Sequence, residues 1–319
     1  MKLGIIMDPI TGIDVRKDSS FAMLLAAQAL GWDIYYMEMA DLYIDGCTPC
    51  ARMRRLAVTD NTTHWFEFGE ESSAELAMLD IILMRKDPPV DMEYIYITQI
   101  LELAQNAGVY VVNDPSALRD VNEKLFIHWF PECIAPTLVT STAQRIMDFA
   151  RIHDDIILKP LDGMGGASIF RLRRNDTNLH VIIETLTANG ARLVMTQRYI
   201  PEITRGDKRI LLIDGEPVPY ALARIPKPGE HRGNLASGGT GKGVELSKRD
   251  REICEQLGPV FRARGLLIAG VDVIGDYLTE INVTSPTCIR ELDALFKLNI
   301  AGDLMQAIAT HIKAGTGRR

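Results

Sequence analysis

Two strand-like runs near the C-terminus carry the residues with the clearest chemical potential. The segment 271–282 contains Asp272, Glu280 and Asn282 in largely apolar surroundings. Side chains two apart on a strand share a face, so Glu280 and Asn282 point the same way. A three-residue turn between the runs would place Asp272 opposite Glu280, whereas a two-residue turn would place it opposite Thr279. In the first register, two carboxylates and an amide oxygen converge.

These oxygen groups are suited to a divalent cation. Mg²⁺ binds in proteins through a few carboxylates together with substrate phosphates. A solvated acidic edge is the alternative, but Asp272 lies in the apolar run 266–274, where an unpaired carboxylate would be costly. We therefore expect Asp272, Glu280 and Asn282 to bind Mg²⁺, or Mn²⁺ in its place.

A glycine-rich turn could hold the phosphates that such a metal accompanies. Lys159 ends a strand just before the turn 162–167, whose backbone amides could cover an anion without obstruction by side chains. The turn joins two strand-like runs, which is a hairpin setting and differs from the strand-to-helix setting of a Walker loop. Lys124, on a predicted helix before the turn, is a second lysine that could hold phosphates. The alternatives are that the glycine-rich segment is a plain turn and that Lys124 is an ordinary surface lysine.

Two arginines lie on predicted strands beside apolar neighbours. A guanidinium group on a partly buried strand generally pairs with a carboxylate or a phosphate, so Arg209 and Arg224 are either anion-binding groups or partners in structural salt bridges. Arg232 and Lys242 lie in the glycine-rich segment 226–243, which we predict to be a long mobile loop that could close over a bound anion.

The elements that must position these groups follow an α/β pattern. Strand signals at 3–7, 34–37, 81–84 and 109–112 alternate with helical signals at 21–30 and 93–106, which predicts a parallel sheet. A helix is expected over 122–130. From residue 192 the chain is rich in strand signals, with a hairpin turn at Asp214-Gly215.

The composition limits the classes of function. The chain has 319 residues, a net charge of −7 and 24% charged residues, which is typical of a globular protein without a general attraction to nucleic acid or anionic membranes. The sequence has no run of about 20 apolar residues that could span a bilayer. Five sparse cysteines favour a reducing cytoplasm. The spacing of Cys47 and Cys50 resembles a redox motif, but its context predicts plain loop cysteines.

Three long motifs together resemble one family. They are 159–168 (KPLDGMGGAS), 224–236 (RIPKPGEHRGNLA) and 280–287 (EINVTSPT). In this order they are similar to the bacterial glutathione synthetases of the ATP-grasp superfamily, and the similarity extends over nearly the whole chain. One departure is Thr240, at a lid position where that family suggests a basic residue.

The resemblance implies a fold and a division of the chain. We expect an α/β (α+β) protein with an N-terminal parallel α/β domain over 1–121 and an ATP-grasp fold of two antiparallel-sheet lobes, over 122–200 and 201–319. ATP would lie between these lobes. The resemblance also suggests a homotetramer.

The resemblance further implies roles for individual residues. Arg209 and Arg224 would be catalytic, and Asp272, Glu280 and Asn282 would bind two Mg²⁺ ions. The predicted ATP-binding residues are Lys124, Lys159, Asp162, Gly163, Met164, Gly165, Gly166, Ala167, Gln197, Arg198, Tyr199, Ile200, Asp207 and Arg232. The predicted peptide-binding residues are Asp18, Ser19, Arg85, Asn282, Ser285, Pro286 and Thr287. For Asp18 and Ser19, a helix cap is the alternative.

The implied reaction joins γ-glutamylcysteine to glycine with ATP as co-substrate. The peptide carboxylate would attack the γ-phosphate to give an acyl phosphate, which the glycine amine would displace, releasing ADP and phosphate. Two other functions stay open: another carboxylate-amine ligase of the superfamily, and a nucleotide-binding regulator without turnover. The fold alone does not decide among these three functions.

Overall fold

Three β-sheets follow one another along the chain. The computed structural model describes residues 1–163, 165–227, 229–230, 233 and 238–315. The first sheet lies within 2–112, the second within 137–198 and the third within 207–282. Each sheet is thus built from one continuous stretch of chain, as expected for an α/β domain followed by two antiparallel lobes.

The first sheet has a parallel centre with an antiparallel extension. Its strands are β1 (Lys2–Ile6), β2 (Asp33–Met37), β3 (Leu42–Asp45), β4 (Thr48–Val58), β5 (Phe66–Glu75), β6 (Ile81–Met84) and β7 (Tyr110–Val112). Strands β2, β1, β6 and β7 are parallel neighbours, as the pattern predicts, and helices α1 (Ser19–Ala29), α2 (Met92–Asn106) and α3 (Pro115–Asp120) connect or follow them.

The sequence pattern misses the antiparallel extension, β3 to β5. Strand β4 pairs with β2, β3 and β5 in antiparallel fashion. None of the ten residues of β5 is buried, so the sequence has no alternation of apolar and polar residues that would predict this strand. Cys50, which was expected in a loop, is buried on β4, and Cys47 lies in the turn before it.

The second sheet is fully antiparallel, in the order β10-β9-β11-β8. Its strands are β8 (Thr137–Thr140), β9 (Asp155–Pro160), β10 (Phe170–Arg173) and β11 (Val194–Arg198), with helices α4 (Ala143–His153) and α5 (Leu179–Leu186). These elements share a small core of their own around Ile146, Ile156 and Leu172. Because β9 and β10 pair directly, the glycine-rich turn lies in a hairpin, as predicted.

The predicted helix over 122–130 is wrong. The structure has only a short 3-10 helix, Leu125–Trp129, which begins after Lys124. The Asn122 side chain accepts hydrogen bonds from the backbone N–H groups of Lys124 and Leu125. Such a local side-chain contact competes with regular helical bonding.

The third sheet is antiparallel, in the order β14-β13-β12-β15-β16. Its strands are β12 (Asp207–Ile213), β13 (Glu216–Ile225), β14 (Thr240–Glu245), β15 (Ile268–Ile274) and β16 (Tyr277–Asn282). Helices α6 (Lys248–Ala263), α7 (Ile289–Phe296) and α8 (Ile300–Ala314) complete the chain. The Asp214-Gly215 hairpin turn is present, with positive φ at both residues.

The predicted loop 226–243 is too long. Residues 240–243 belong to β14, whose backbone pairs with β13 although its sequence alternates glycine with polar residues. Pairing with an existing strand therefore overrides a poor intrinsic β-propensity. Residues 228, 231–232 and 234–237 of the predicted loop lie outside the described residues.

Asn113 joins the first sheet to the third. Its side-chain nitrogen donates to the carbonyl oxygens of Ile268 and Val283, each at 2.7 Å, and its oxygen accepts from the Ile268 N–H at 3.0 Å. The residue directly follows β7 and is buried. One side chain thus fixes the end of a parallel strand to β15 and to the residue after β16.

Candidate active site

A β-bulge brings the two acidic residues of the third sheet together. The β15–β16 connection is a two-residue turn, since Ile274 pairs with Tyr277. A register shift beside Asp272 then moves Glu280 opposite Asp272, although a regular two-residue hairpin would have placed Thr279 there. The acidic pair therefore forms through a bulge rather than through the predicted three-residue turn.

Asp272 is held between two arginines. Its side chain is buried, Arg209 Nη2 donates to Oδ2 at 3.0 Å, and Arg224 Nη2 contacts the same oxygen at 2.8 Å. The other oxygen accepts from Arg209 Nε. Arg209 lies on β12, directly opposite Asp272 on β15. Arg224 lies on β13, opposite Asp207 on β12, and also donates to the Asp207 carboxylate. Three adjacent strands thus form one buried ion network.

The pKa values of the two aspartates in this network, Asp207 and Asp272, are shifted in opposite directions. Burial alone would raise the pKa of Asp272, but Arg209 and Arg224 outweigh it and hold that pKa at about 2. Burial dominates at Asp207 and raises its pKa to about 7, although Arg224 acts in the opposite direction. Asp272 is therefore an anion at neutral pH, and Asp207 titrates near neutrality.

Gly270 makes room for Arg209. A Cβ at this position would lie 2.9 Å from Arg209 Cδ and 3.0 Å from Pro286 Cβ. The aliphatic part of the Arg209 side chain passes through this gap between β15 and the segment after β16. A side chain at Gly270 would displace Arg209 from Asp272.

Two lysines extend the charged network. Lys159 Nζ lies 3.8 Å from Glu280 Oε1 and donates to the Thr279 carbonyl at 3.4 Å. Lys124 Nζ lies 2.6 Å from Glu123 Oε1 and donates to the Gly163 carbonyl at 3.2 Å. The network then holds four cations and four acids, namely Arg209, Arg224, Lys124 and Lys159 with Asp207, Asp272, Glu123 and Glu280.

The glycine turn needs its glycines for backbone conformation. Gly163, Gly165 and Gly166 all have positive φ, which other residues adopt only with strain. The carbonyl of Gly163 faces Lys124, and Gly163, Gly165, Gly166 and Ala167 line the central cavity described below. Asp162 is exposed and lines neither the central cavity nor the cavity beside it, and Met164 lies outside the described residues.

A first cavity, here named the β11 cavity, lies between the second and third sheets. Its walls include Gln197, Arg198, Tyr199 and Ile200, at the end of β11 and just beyond it. The other lining residues are Ile157, Lys159, Ile169, Ile203, Asp207, Gly233, Ile274, Thr279 and Glu280. Asp207 Oδ1 is buried without a hydrogen-bond partner among the described residues. The cavity thus combines apolar walls with an unused acceptor and a lysine.

A second cavity, here named the central cavity, adjoins the first and shares Glu280 and Ile169 with it. It encloses about 1040 Å³, part of which is open to solvent. Its polar walls are Asp87, Glu123, Lys124, Arg209, Arg224, Glu280, Asn282, Thr284, Ser285, Thr287 and Cys288, together with the glycine turn. The structure therefore brings both predicted catalytic arginines, Lys124 and two of the three predicted metal ligands to one cavity, whereas Lys159 lines the adjoining β11 cavity.

A third cavity, here named the Arg85 cavity, lies beside the central one. Its lining residues are Met7, Asp8, Pro9, Gly12, Ile13, Asp14, Asp18, Ser20, Arg85 and Asp87. Asp87 lines both cavities, so they adjoin at this side chain. The cavity lined by Arg85 and Asp18, which the motifs predict to bind the peptide, therefore adjoins the cavity that Ser285 and Thr287 line.

Some predicted residues are placed elsewhere. Ser19 is buried and its hydroxyl accepts from the Ile289 N–H at 3.2 Å, which joins α1 to α7. Pro286 contributes its carbonyl oxygen, which accepts from Arg85 Nη2 at 2.9 Å. Arg232 lies outside the described residues. Sequence reasoning missed Asp87, Ser20 and Glu123, each within two positions of a residue that it selected.

The donor set fits a divalent cation in part. The Asn282 amide nitrogen donates to the Gly270 carbonyl at 3.3 Å, and its oxygen accepts no hydrogen bond from the described residues. Glu280 lines both cavities. Both oxygens of Asp272 already accept from arginines, although Asp272 stays ionised. Within the described part of the chain, no three His, Cys, Asp or Glu side chains form a metal-binding cluster. A metal at this site would therefore need substrate oxygens to complete its shell.

Two further observations concern the helices and the cysteines. Within the described ranges, no helix has the length and apolar character needed to cross a membrane. All five cysteines are unpaired, and Cys288 is buried at the wall of the central cavity.

Comparison with protein families gives two adjoining matches. The N-terminal domain of prokaryotic glutathione synthetase matches residues 1–119, and the ATP-grasp domain of the same family matches residues 123–297. The glutathione synthetase of Pseudomonas putida is 60% identical over 98% of this chain and 99% of its own length. That of Pseudomonas syringae pv. tomato is 59% identical, and that of Shewanella oneidensis 58% identical, over at least 98% of the chain.

Solved structures share the fold at low sequence identity. The D-cycloserine synthetase DcsG is 15% identical, with a TM-score of 0.68 over 98% of this chain and 100% of its own. The ATP-grasp ligase PsnB, complexed with a minimal precursor, Mg and ADP, is 16% identical, with a TM-score of 0.64 over 98% of each chain. The chain belongs to the prokaryotic glutathione synthetase family and is an ATP-dependent ligase of the ATP-grasp fold that forms glutathione.

Proposed function

We propose that the central cavity joins γ-glutamylcysteine to glycine through an acyl phosphate. A carboxylate oxygen of the cysteine residue attacks the γ-phosphorus of ATP, and ADP leaves. The glycine amine, after losing a proton, attacks the acyl carbon, and the C–O bond to phosphate breaks. The pair of arginines at the wall of the cavity, Arg209 and Arg224, is the observation that carries this proposal.

The β11 cavity suits the nucleoside of ATP. Its apolar walls favour a flat base, and Gln197, Arg198, Tyr199 and Ile200 supply the strand beside it. The unpartnered oxygen of Asp207 would accept a hydrogen bond from a ribose hydroxyl. Lys159 lies where the two cavities meet, and Lys124 lies under the glycine turn, so both would contact phosphates. Asp162, Met164 and Arg232 keep ATP-binding roles on motif similarity alone.

Arg209 and Arg224 would stabilise the acyl phosphate and the oxyanion formed from it. Fixed cations aimed at developing charge contribute most when they need no reorganisation. Asp272 holds both guanidinium groups and remains ionised, so it sets their positions before substrate arrives. The cavity walls would also limit access of water, which hydrolyses acyl phosphates.

The charge balance of the network supports nucleotide binding together with Mg²⁺. Four cations already face four acids, so a polyphosphate adds uncompensated negative charge unless divalent cations enter with it. Glu280 and Asn282 would hold two Mg²⁺ ions, or Mn²⁺, with Asp272 as the third ligand through Oδ1, which accepts only from Arg209 Nε among the described residues. Bound metal would neutralise charge on the transferring phosphoryl group.

Replacing the Glu280 carboxylate tests the metal site. Glu280→Gln keeps the size of the side chain but removes its charge, so calorimetry should show weaker nucleotide binding in Mg²⁺ and little change in metal-free buffer. Equal weakening under both conditions would assign Glu280 to the nucleotide alone.

The wider setting completes the proposal. We assign 1–121 to a peptide-binding domain and 122–200 and 201–319 to the two ATP-grasp lobes. The protein would act in the cytoplasm as a homotetramer, with small-molecule partners and neither nucleic acid nor membrane bound. Light scattering on the purified protein tests the tetramer.

ADP release tests the reaction directly. The protein with Mg²⁺ and ATP is given γ-glutamylcysteine and glycine together, each alone, and D-alanine in place of glycine. Release that needs both substrates, with glutathione as product, supports the proposal. Nucleotide binding without release would contradict it and favour a regulatory protein.

A further inference from the structure

One wall of the β11 cavity is an aromatic ring covered from behind by a cation. The guanidinium carbon of Arg171 lies 3.6 Å from the centroid of the Tyr199 ring, over one of its faces. Tyr199 lines the β11 cavity, whereas Arg171 is not among the described residues that do so. Only the opposite face and the edge of the ring are therefore available to the cavity.

The register of the second sheet places Arg171 beside this cavity. Arg171 on β10 pairs with Ile157 on β9, and Ile157 pairs with Gln197 on β11. Residues directly opposite each other on neighbouring strands share one face of a sheet. Because Ile157 and Gln197 line the β11 cavity, the Arg171 side chain lies on the face of the sheet that carries it.

Asp155 fixes both members of the stacked pair. Arg171 Nε donates to both carboxylate oxygens of Asp155, at 3.0 and 3.2 Å, and Arg171 Nη2 donates to Oδ2 at 2.6 Å. This two-pronged contact sets the plane of the guanidinium group. The backbone N–H of Tyr199 donates to the Asp155 carbonyl at 3.0 Å. One residue of β9 thus connects the cation to the ring.

A neighbouring arginine shows what an ordinary surface ion pair looks like here. Arg173 lies two positions along β10, on the same face, and its Nε is 3.9 Å from Asp155 Oδ2. The Arg173 side chain is 72% exposed, against 33% for Arg171, and it stacks on no ring in the described part of the chain. An exposed pair of this kind contributes little. The bidentate contact and the ring distinguish Arg171 from it.

We propose that Arg171 positions the Tyr199 ring as a wall for the base of ATP, without touching the nucleotide itself. The attraction between the cation and the ring face restricts rotation of the Tyr199 side chain. A ring that is fixed before binding loses less conformational entropy when the base packs against it. This assignment rests on the nucleoside site of the proposed function and adds a positioning residue outside the cavity.

Calorimetric titration of the whole protein with Mg²⁺-ATP tests the assignment. Arg171→Met keeps a long unbranched side chain but loses the cation, so the Kd for ATP should rise about 2- to 30-fold, the range of one cation–π contact. In steady-state assays the KM for ATP should rise, while kcat and the KM values for γ-glutamylcysteine and glycine stay unchanged. A residue that only stabilised the lobe would not act on ATP alone.

Removing the ring separates positioning from a general effect of charge. Tyr199→Leu should raise the Kd for ATP about 5- to 150-fold, as expected for losing one contact between a base and an aromatic ring. In the Tyr199→Leu protein, Arg171→Met should have no further effect, because Arg171 acts through the ring. Arg173→Ala removes a cation from the same strand and face and should leave the Kd unchanged. Melting curves check that each variant folds.

The outcomes are distinct. An unchanged Kd in Arg171→Met, an equal effect of Arg171→Met with and without the ring, or an equal effect of Arg173→Ala would each overturn the assignment while leaving the ligase intact. An unchanged Kd in Tyr199→Leu would remove Tyr199 from the nucleoside site. A wild-type protein that releases no ADP with γ-glutamylcysteine and glycine would instead overturn the proposed reaction.

Discussion

Single side chains carry most of the proposed chemistry. Arg224 contacts Asp207 and Asp272, lines the central cavity and is almost fully buried. Its pKa is raised, because the two aspartates outweigh burial, so it stays cationic at any working pH. A permanent charge at this place can contact substrate without changing protonation.

Arg224→Ala tests that role. We expect kcat to fall by about 10²- to 10³-fold, the usual cost of one oxyanion donor, while ATP affinity changes little. Because the variant leaves buried carboxylates without a partner, its melting temperature is measured as well. Arg262→Ala, which removes a half-exposed arginine paired with Glu216, is the matched control. Near-normal kcat in a folded Arg224→Ala protein would remove the assignment.

Asp207 gives the apo protein a pH dependence. Its folded-state pKa of about 7 lies above the reference value of 3.8, so between these values the folded state holds a proton that the unfolded state has lost. The resulting stability is present below the lower value and is lost as pH rises through the upper one. Urea unfolding from about pH 5 to about pH 8 should therefore show a steeper decline for the wild-type protein than for Asp207→Asn. Parallel profiles would contradict this shift.

At the scale of elements, turns and registers position the site. The hairpin setting of the glycine turn and the strands that carry Arg209 and Arg224 could be predicted, because glycine clusters and apolar runs are local signals. The β-bulge that sets Glu280 opposite Asp272 could not, since the register shift arises within the pairing of β15 with β16 and no local residue signal marks it. Strand β5, with no buried residue, likewise gave no pattern to detect.

Gly163→Ala tests the glycine turn. Gly163 has a φ of 96°, and nothing lies within 4 Å of an added Cβ, so the cost is backbone strain of about 1–2 kcal/mol without a clash. The KM for ATP should rise about 5- to 30-fold if the strain opposes the conformation that covers phosphate. Gly46→Ala is matched, with a φ of 60° and equal open space in the β3–β4 turn, and should leave the KM unchanged. Similar effects of both variants would contradict a phosphate role.

At the scale of the molecule, the site depends on contacts between sheets. The motifs predicted which residues matter, but the sequence did not predict Asn113, because its three hydrogen bonds join segments more than 150 residues apart. Asp87 was missed for a similar reason, since its position at the boundary of two cavities arises only when β6 meets the segment after β16.

Asn113→Ala tests this junction. Loss of three buried hydrogen bonds should reduce the free energy of unfolding by about 2–4 kcal/mol. Asn61→Ala, which removes an exposed asparagine that accepts bonds within one loop, should cost far less. Urea titrations of both variants make the comparison, and equal small losses would show that the junction does not depend on Asn113.

The acyl phosphate is the central claim, and oxygen transfer tests it most directly. The protein is given γ-glutamylcysteine with ¹⁸O in the cysteine carboxylate, together with glycine, ATP and Mg²⁺, and the released phosphate is analysed by mass spectrometry. Because the attacking carboxylate oxygen stays on phosphorus when the C–O bond breaks, each phosphate should carry one ¹⁸O atom. Phosphate without ¹⁸O, formed alongside glutathione, would contradict the account.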